Sequence, residues 1–240
     1  MLRLAAILPL VFAGAALAGS RIDVHPGRTE PQVHGDMLVR GLAVTDRGYT
    51  LELGREPLSF RITRDGKPVR DFDLEHTKRM HVIVVRRDLT GFQHLHPTMR
   101  ADGTWTVPLT LRAPGIYRVY ADFAVDGEPH TLAADLTADG EVRSQPLPPA
   151  SNTASVDGLI VRRSGLDFNV TRAGKPVALE DYLGAKGHLV ALREGDLAFL
   201  HVHPDENRLR FEADLDTLHR YRLFLQFKTG GRVHTAAFTR

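Results

Sequence analysis

Cysteine is absent from the 240 residues, which excludes disulfides, thiolate metal sites and cysteine nucleophiles. Charge of one sign is also missing: 31 Lys and Arg face 29 Asp and Glu, a formal net charge of +2 with the twelve His neutral. Without aromatic interleaving, the pairs Arg86-Arg87 and Arg162-Arg163 read as solvated faces, so a nucleic-acid partner is not expected. Beyond residue 17 no apolar run approaches the roughly 20 residues that a membrane helix needs, which argues against stable membrane insertion. Gly-rich phosphate loops, HExxH and nucleophile-elbow serines are missing too, so no residue is assigned a catalytic role. What remains, 42% hydrophobic and 25% charged, is the composition of a folded globular chain long enough for one large or two ordinary domains.

Arg3, the apolar run from Leu4 to Leu17 and the small residues around Ala16-Leu17-Ala18 read as a signal peptide over residues 1–18. A periplasmic or secreted protein is therefore expected, with a periodless N-terminal segment at 19–37. The rest of the chain is a repeat. Phe60-Arg61-Ile62-Thr63-Arg64-Asp65-Gly66-Lys67-Pro68-Val69 returns as Phe168-Asn169-Val170-Thr171-Arg172-Ala173-Gly174-Lys175-Pro176-Val177. His81-Val82-Ile83-Val84-Val85-Arg86 matches His188-Leu189-Val190-Ala191-Leu192-Arg193, and Phe92-Gln93-His94-Leu95-His96-Pro97 matches Phe199-Leu200-His201-Val202-His203-Pro204. Tyr117 to Phe123 matches Tyr221 to Phe227, and His130-Thr131 matches His234-Thr235. Four blocks in one order predict an internal duplication: a domain at 38–139, a Pro-rich linker at 140–154, and a second domain at 155–240.

Each copy holds short apolar runs, rich in β-branched and aromatic residues and bounded by Gly, Pro and Asp, which predicts strands. Arg64-Asp65-Gly66-Lys67 and Arg172-Ala173-Gly174-Lys175 predict hairpin turns, and Leu179 to Gly184 reads as a single helical turn. About seven strands per copy point to an all-β fold of two tandem immunoglobulin-like β-sandwiches.

Histidine carries the chemistry. Eight of the twelve fall at equivalent places: His81, His94, His96 and His130 in the first copy, and His188, His201, His203 and His234 in the second. Between His81 and Pro97 the copies agree at only six positions, three of them His, so imidazoles persist where aliphatic residues drift. In a strand, His94 and His96 point to one face, and so do His201 and His203; each pair can reach one ion. His81 and His188 can add a third nitrogen, and His130 and His234 a fourth. All eight are candidate metal ligands, arranged as two similar sites whose relation to each other is left open. His81 also shares strand parity with Ile83 and Val85, as a hydrogen-bonded core histidine would. His25, His34, His76 and His219 have no repeat partner and read as surface residues, while Met80 and Met99 read as packing.

All-imidazole donors suit copper(II), zinc or nickel. The blocks Asp88-Leu89-Thr90-Gly91-Phe92-Gln93-His94-Leu95-His96-Pro97 and Asp196-Leu197-Ala198-Phe199-Leu200-His201-Val202-His203-Pro204, the latter preceded by Tyr182 to Arg193, resemble a signature of uncharacterised secreted bacterial proteins loosely labelled heavy-metal-binding. Pro114-Gly115-Ile116-Tyr117 is similar to the strand entry of periplasmic copper-handling β-sandwiches. The resemblance implies export and a heavy-metal ligand; an exported copper or zinc binder in turn points to a periplasmic or membrane metal-transport protein as its partner. Two other readings stand beside metal buffering or delivery. One is a structural or adhesive tandem sandwich with core histidines. The other is a metal-dependent oxidoreductase, dismutase-like or cupin-like, weakened because a dismutase disulfide has no Cys and a cupin Glu does not follow His96.

Overall fold

The computed structural model describes residues 40–54, 58–204 and 207–240; the leader read at 1–18 and the segment at 19–37 lie outside them. In the first half the strands are β1 (Thr45–Asp46), β2 (Tyr49–Leu53), β3 (Leu58–Arg64), β4 (Lys67–Pro68), β5 (His81–Arg86), β6 (Gln93–Leu95), β7 (Thr98–Met99), β8 (Trp105–Val107), β9 (Gly115–Val125) and β10 (Glu128–Ala138). The second half supplies β11 (Thr153–Val156), β12 (Leu159–Ser164), β13 (Asp167–Arg172), β14 (Lys175–Pro176), β15 (Gly187–Arg193), β16 (Phe199–Val202), β17 (Tyr221–Thr229) and β18 (Arg232–Thr239). Every pairing is antiparallel, and the described residues hold no helix. The chain is two tandem immunoglobulin-like β-sandwiches built by duplication.

The first sandwich packs the sheet β1-β2-β3-β8-β7 against β10-β9-β5-β6; the second packs β11-β12-β13-β14 against β16-β15-β17-β18. The two second sheets have the same strand order, with β5, β6, β9 and β10 corresponding to β15, β16, β17 and β18. Asp65 and Gly66, and Ala173 and Gly174, all take positive φ, which makes the two short turns of type I′ and pairs Arg64 with Lys67 and Arg172 with Lys175. The stretch at 179–184 is not helical. Leu183 and Gly184 have φ of 53° and 76°, left-handed values that a right-handed helix cannot use, and Tyr182 instead pairs with Ala185 across a tight turn.

All six residues of β5 are buried, and the period-two geometry of a strand explains how. Val82 and Val84 face the core of the first sandwich with Phe60, Ile62, Trp105 and Val119. Ile83 and Val85 face outward, yet they are covered by Val190, Leu192, Leu197, Phe199 and Phe224 of the second half. Strand β15 does the same in reverse: Leu189 and Ala191 serve its own core, while Val190 and Leu192 enter the shared seam. The outer faces of the two second sheets therefore pack on each other, and each half covers the apolar face that the other leaves bare.

The contacts across this seam are exchanged in pairs. Phe92 stacks on Phe224 at 4.1 Å between ring centroids, and its counterpart Phe199 stacks on Tyr120, the counterpart of Phe224, at 4.7 Å. Leu89 and Leu197 dip into the seam with φ of 64° each, a conformation that costs a branched residue on the order of 1–3 kcal/mol. Burial holds them there. Arg86 is not a solvated residue: it is buried against Asp88, whose carboxylate also accepts the Gln145 amide of the linker. The linker read at 140–154 ends two residues early, since Thr153 and Ala154 already pair with Arg162 and Val161 in β11; before them Leu147 packs on the seam and Arg220 donates to the carbonyls of Leu147 and Pro148.

Replacing Ile83 with Ala removes a fully buried seam side chain and should cost about 2–5 kcal/mol. Ile116, which is 44% exposed, should cost about 0.5 kcal/mol or less on the same change. Urea unfolding of the two variants checks both values.

Candidate metal centre

The parity that sends Ile83 and Val190 into the seam sends His81 and His188 to its end. His81 lies opposite Asp122 on β9, and His188 lies opposite Gln226 on β17. On the other side, His94 of β6 is opposite Ile83, and His201 of β16 is opposite Val190. His96 and His203 follow just past the strand ends, before the prolines. Six imidazoles from two sandwiches thus meet at one place. Ring centroids lie 5.1 Å apart for His94 and His201, 5.2 Å for His81 and His201, and 6.3 Å for His81 and His188.

Backbone and side-chain acceptors fix which nitrogen of each ring carries its proton. His81 Nε2–H points at the Glu75 carbonyl at 3.3 Å, and His188 Nε2–H at the Tyr182 carbonyl at 3.0 Å. His94 Nδ1–H donates to Gln226 Oε1 at 2.6 Å, and His201 Nδ1–H to Asp122 Oδ2 at 3.0 Å. Both of these bonds cross the seam, again in exchange, since Asp122 and Gln226 are counterparts. Each acceptor is held in turn by a threonine on the neighbouring strand: the Thr131 hydroxyl donates to Asp122 Oδ1 at 2.7 Å, and Gln226 Nε2 donates to Thr235 Oγ1 at 3.2 Å.

With those protons placed, the facing nitrogens have none. His81 Nδ1 meets His94 Nε2 at 3.1 Å, and His188 Nδ1 meets His201 Nε2 at 3.4 Å, each as lone pair against lone pair. His96 Nε2 and His203 Nε2 are buried and have no hydrogen-bond partner among the described residues. Buried nitrogens are ordinarily satisfied, so four lone pairs converging and two more unpartnered is a donor set that asks for a cation. Two groups of three have ligand atoms within 4.8 Å of one another: His81, His94 and His201, and His188, His201 and His203. These buried histidine clusters can hold a metal ion.

Burial, reinforced by mutual repulsion, keeps the rings neutral. Desolvation lowers His188 to about 4 and His96 to about 3, and it moves His81, His94, His201 and His203 down as well. Burial pushes the Asp122 carboxyl up, against the Thr131 hydrogen bond.

His130 and His234 are not part of this cluster. They share parity with the inward face of their strands: His130 stacks on Phe123 and lies tilted against Tyr49, and His234 stacks on Phe227. Each donates Nδ1–H to an acid of the neighbouring sheet, Asp46 at 3.2 Å and Asp157 at 2.7 Å. They tie the two sheets of each sandwich together. His76, read as a surface residue, stacks instead on His203 at 3.4 Å from the first-half turn, where Leu183 stands in the second. No repeat signal marks it. Asp122, Gln226, Thr131 and Thr235 were also unassigned, although a polar residue within each apolar block from Tyr117 and Tyr221 is a visible signal. Met80 and Met99 lie with the first core, and His219 is exposed beside Asp216.

Fold and site together define a duplicated β-sandwich protein whose halves pool their histidines at a shared seam. The chain belongs to the family described as a domain of unknown function, DUF8832, whose profile matches residues 39–140 and again 154–240. No curated protein matches the chain. No helix among the described residues is long and apolar enough to cross a membrane.

In the unfolded chain these histidines titrate near 6.5, so between that value and their lowered folded values the unfolded state binds more protons. Stability from the neutral cluster is complete above about pH 6.5 and is lost as pH falls, down to about 4 for His188 and about 3 for His96. Asp122 and Glu75, with their raised values, act in the opposite sense, but they are two groups against six. The metal-free protein should therefore melt at steadily lower temperature between pH 7 and pH 4; a flat profile in calorimetry would contradict the neutral cluster.

Proposed function

We propose that this protein is an exported metal-binding protein that buffers or delivers copper(II) or zinc outside the cytoplasm. The facing, unprotonated nitrogens of His81 and His94 and of His188 and His201 carry the reading. Neutral imidazoles are borderline donors suited to both ions; the chain has no thiolate, and among the described residues no thioether joins them to favour copper(I), Met80 and Met99 lying with the first core. The leader-like segment at 1–18 and the resemblance to secreted heavy-metal-binding proteins support the location. A metal-transport protein of the periplasm or membrane is the partner that such a role implies.

The ligand-holding hydrogen bonds are what this chain contributes to affinity. A carboxylate on His201 Nδ1–H makes the opposite nitrogen a better donor and supplies one negative charge beside a buried dication. Proton competition should set in well below pH 6.5, the onset expected of free imidazole, because burial has already lowered these groups.

A ligand that binds only the folded state stabilises it by about 2.7 kcal/mol at a hundredfold excess over its Kd. The chelator-stripped protein titrated with copper(II), zinc or nickel should accordingly gain about 5–10 °C in Tm. Absence of any shift, together with no metal on elemental analysis, would leave the cluster a structural one. Asp122→Asn keeps an acceptor for His201 but not the charge, and should weaken binding about 10–100-fold in equilibrium dialysis.

A further inference from the structure

We infer that the two histidine triads are alternative seats for one cation, with His201 common to both, so that the protein holds a single tightly bound ion. The inference rests on the metal-binding reading and goes beyond it in stoichiometry and in path. The repeat alone leaves open whether its two sites are separate or shared.

The first seat is His81 and His94 of the first half with His201 of the second; the second seat is His188, His201 and His203. His201 has one nitrogen to give. Its Nδ1–H is committed to Asp122 Oδ2 at 3.0 Å, which leaves the Nε2 lone pair alone for a metal. An ion in either seat therefore takes the ligand that the other needs. Two dications a few ångströms apart also repel each other strongly in a buried site. All six nitrogens here belong to neutral rings, and Asp122 stands behind His201, bonded to it and to Thr131.

Each seat also draws on the opposite half. The first borrows His201; the second is covered by His76, whose ring lies flat on His203 at 3.4 Å. The shared ring makes a passage between seats short, since the ion exchanges two ligands while His201 stays bound. His96, the counterpart of His203, flanks the first seat with its ring 4.8 Å from that of His94 and its buried Nε2 unpartnered. It is placed to add a fourth nitrogen there.

The test is a zinc titration of the chelator-stripped full chain against a chromophoric competitor, with bound metal counted after gel filtration. Wild type should bind one equivalent. His94→Ala and His203→Ala, each of which spares one seat, should keep one equivalent; because the constants of alternative seats add, the variant that spares the stronger seat should lose no more than about twofold in affinity and the other more, and His201→Ala should lose tight binding altogether. Circular dichroism and thermal unfolding confirm that each variant is folded, and the wild-type count stands without any variant. Two tight equivalents in wild type, falling to one in His201→Ala, would overturn the shared seat while leaving the metal-binding function intact. No tight zinc, copper(II) or nickel binding by wild type would overturn both.

Discussion

Sheet-on-sheet packing between the two sandwiches is the interaction on which the rest of the molecule depends. A sandwich needs only one buried face per sheet, and an outward row of Ile83, Val85 and Tyr120 or of Val190, Leu192 and Phe224 would be a liability in a single copy. Pairing the two rows removes both from water, and burying each such side chain contributes about 1.5–3 kcal/mol. The same contact brings the strand ends bearing histidine into register. Position in the centre thus follows from apolar packing a few residues away, and the hydrogen bonds across the seam set ring orientation.

The repeated block before each HxH pair is best understood as the seam's own code. Its Asp, Asp88 or Asp196, accepts the amide two residues on and pairs with the arginine at the end of the preceding strand. Its Leu enters the shared core in a left-handed conformation, and its Phe stacks on an aromatic ring of the other half. Only then come the two imidazoles. The block looked like a ligand motif, and its Leu and Phe dock one sandwich on the other.

Much of this was legible in the chain. The duplication, the β-rich character and the hairpin turns can be read from composition and spacing, and the repeat marks the six histidines that the structure brings together without separating them from His130 and His234. Three things could not. Strand parity put His81 with Ile83 and Val85 but could not say whether that face met its own core or a second domain, because both give continuous apolar runs. His130 and His234 persist in the repeat as faithfully as the others, since a histidine pinning Asp46 or Asp157 is retained for its hydrogen bond as a ligand is for its lone pair. His76 reaches the cluster by folding of a turn with two left-handed residues, a placement with no sequence period. The Leu179 to Gly184 stretch misled for the same reason: its composition suits a helix end, and its geometry is a type I′ turn.

The exchange of contacts across the seam is what a twofold dimer interface looks like, yet both partners lie on one chain. Two separate copies would carry every side chain twice, so a carboxylate opposite one histidine would entail a carboxylate opposite the other. Here Asp122 faces His201 and Gln226 faces His94. Covalent fusion released the two positions from each other, and the electrostatics of a nearly symmetric pocket became adjustable one residue at a time, giving the halves different chemical character without disturbing the fit between them.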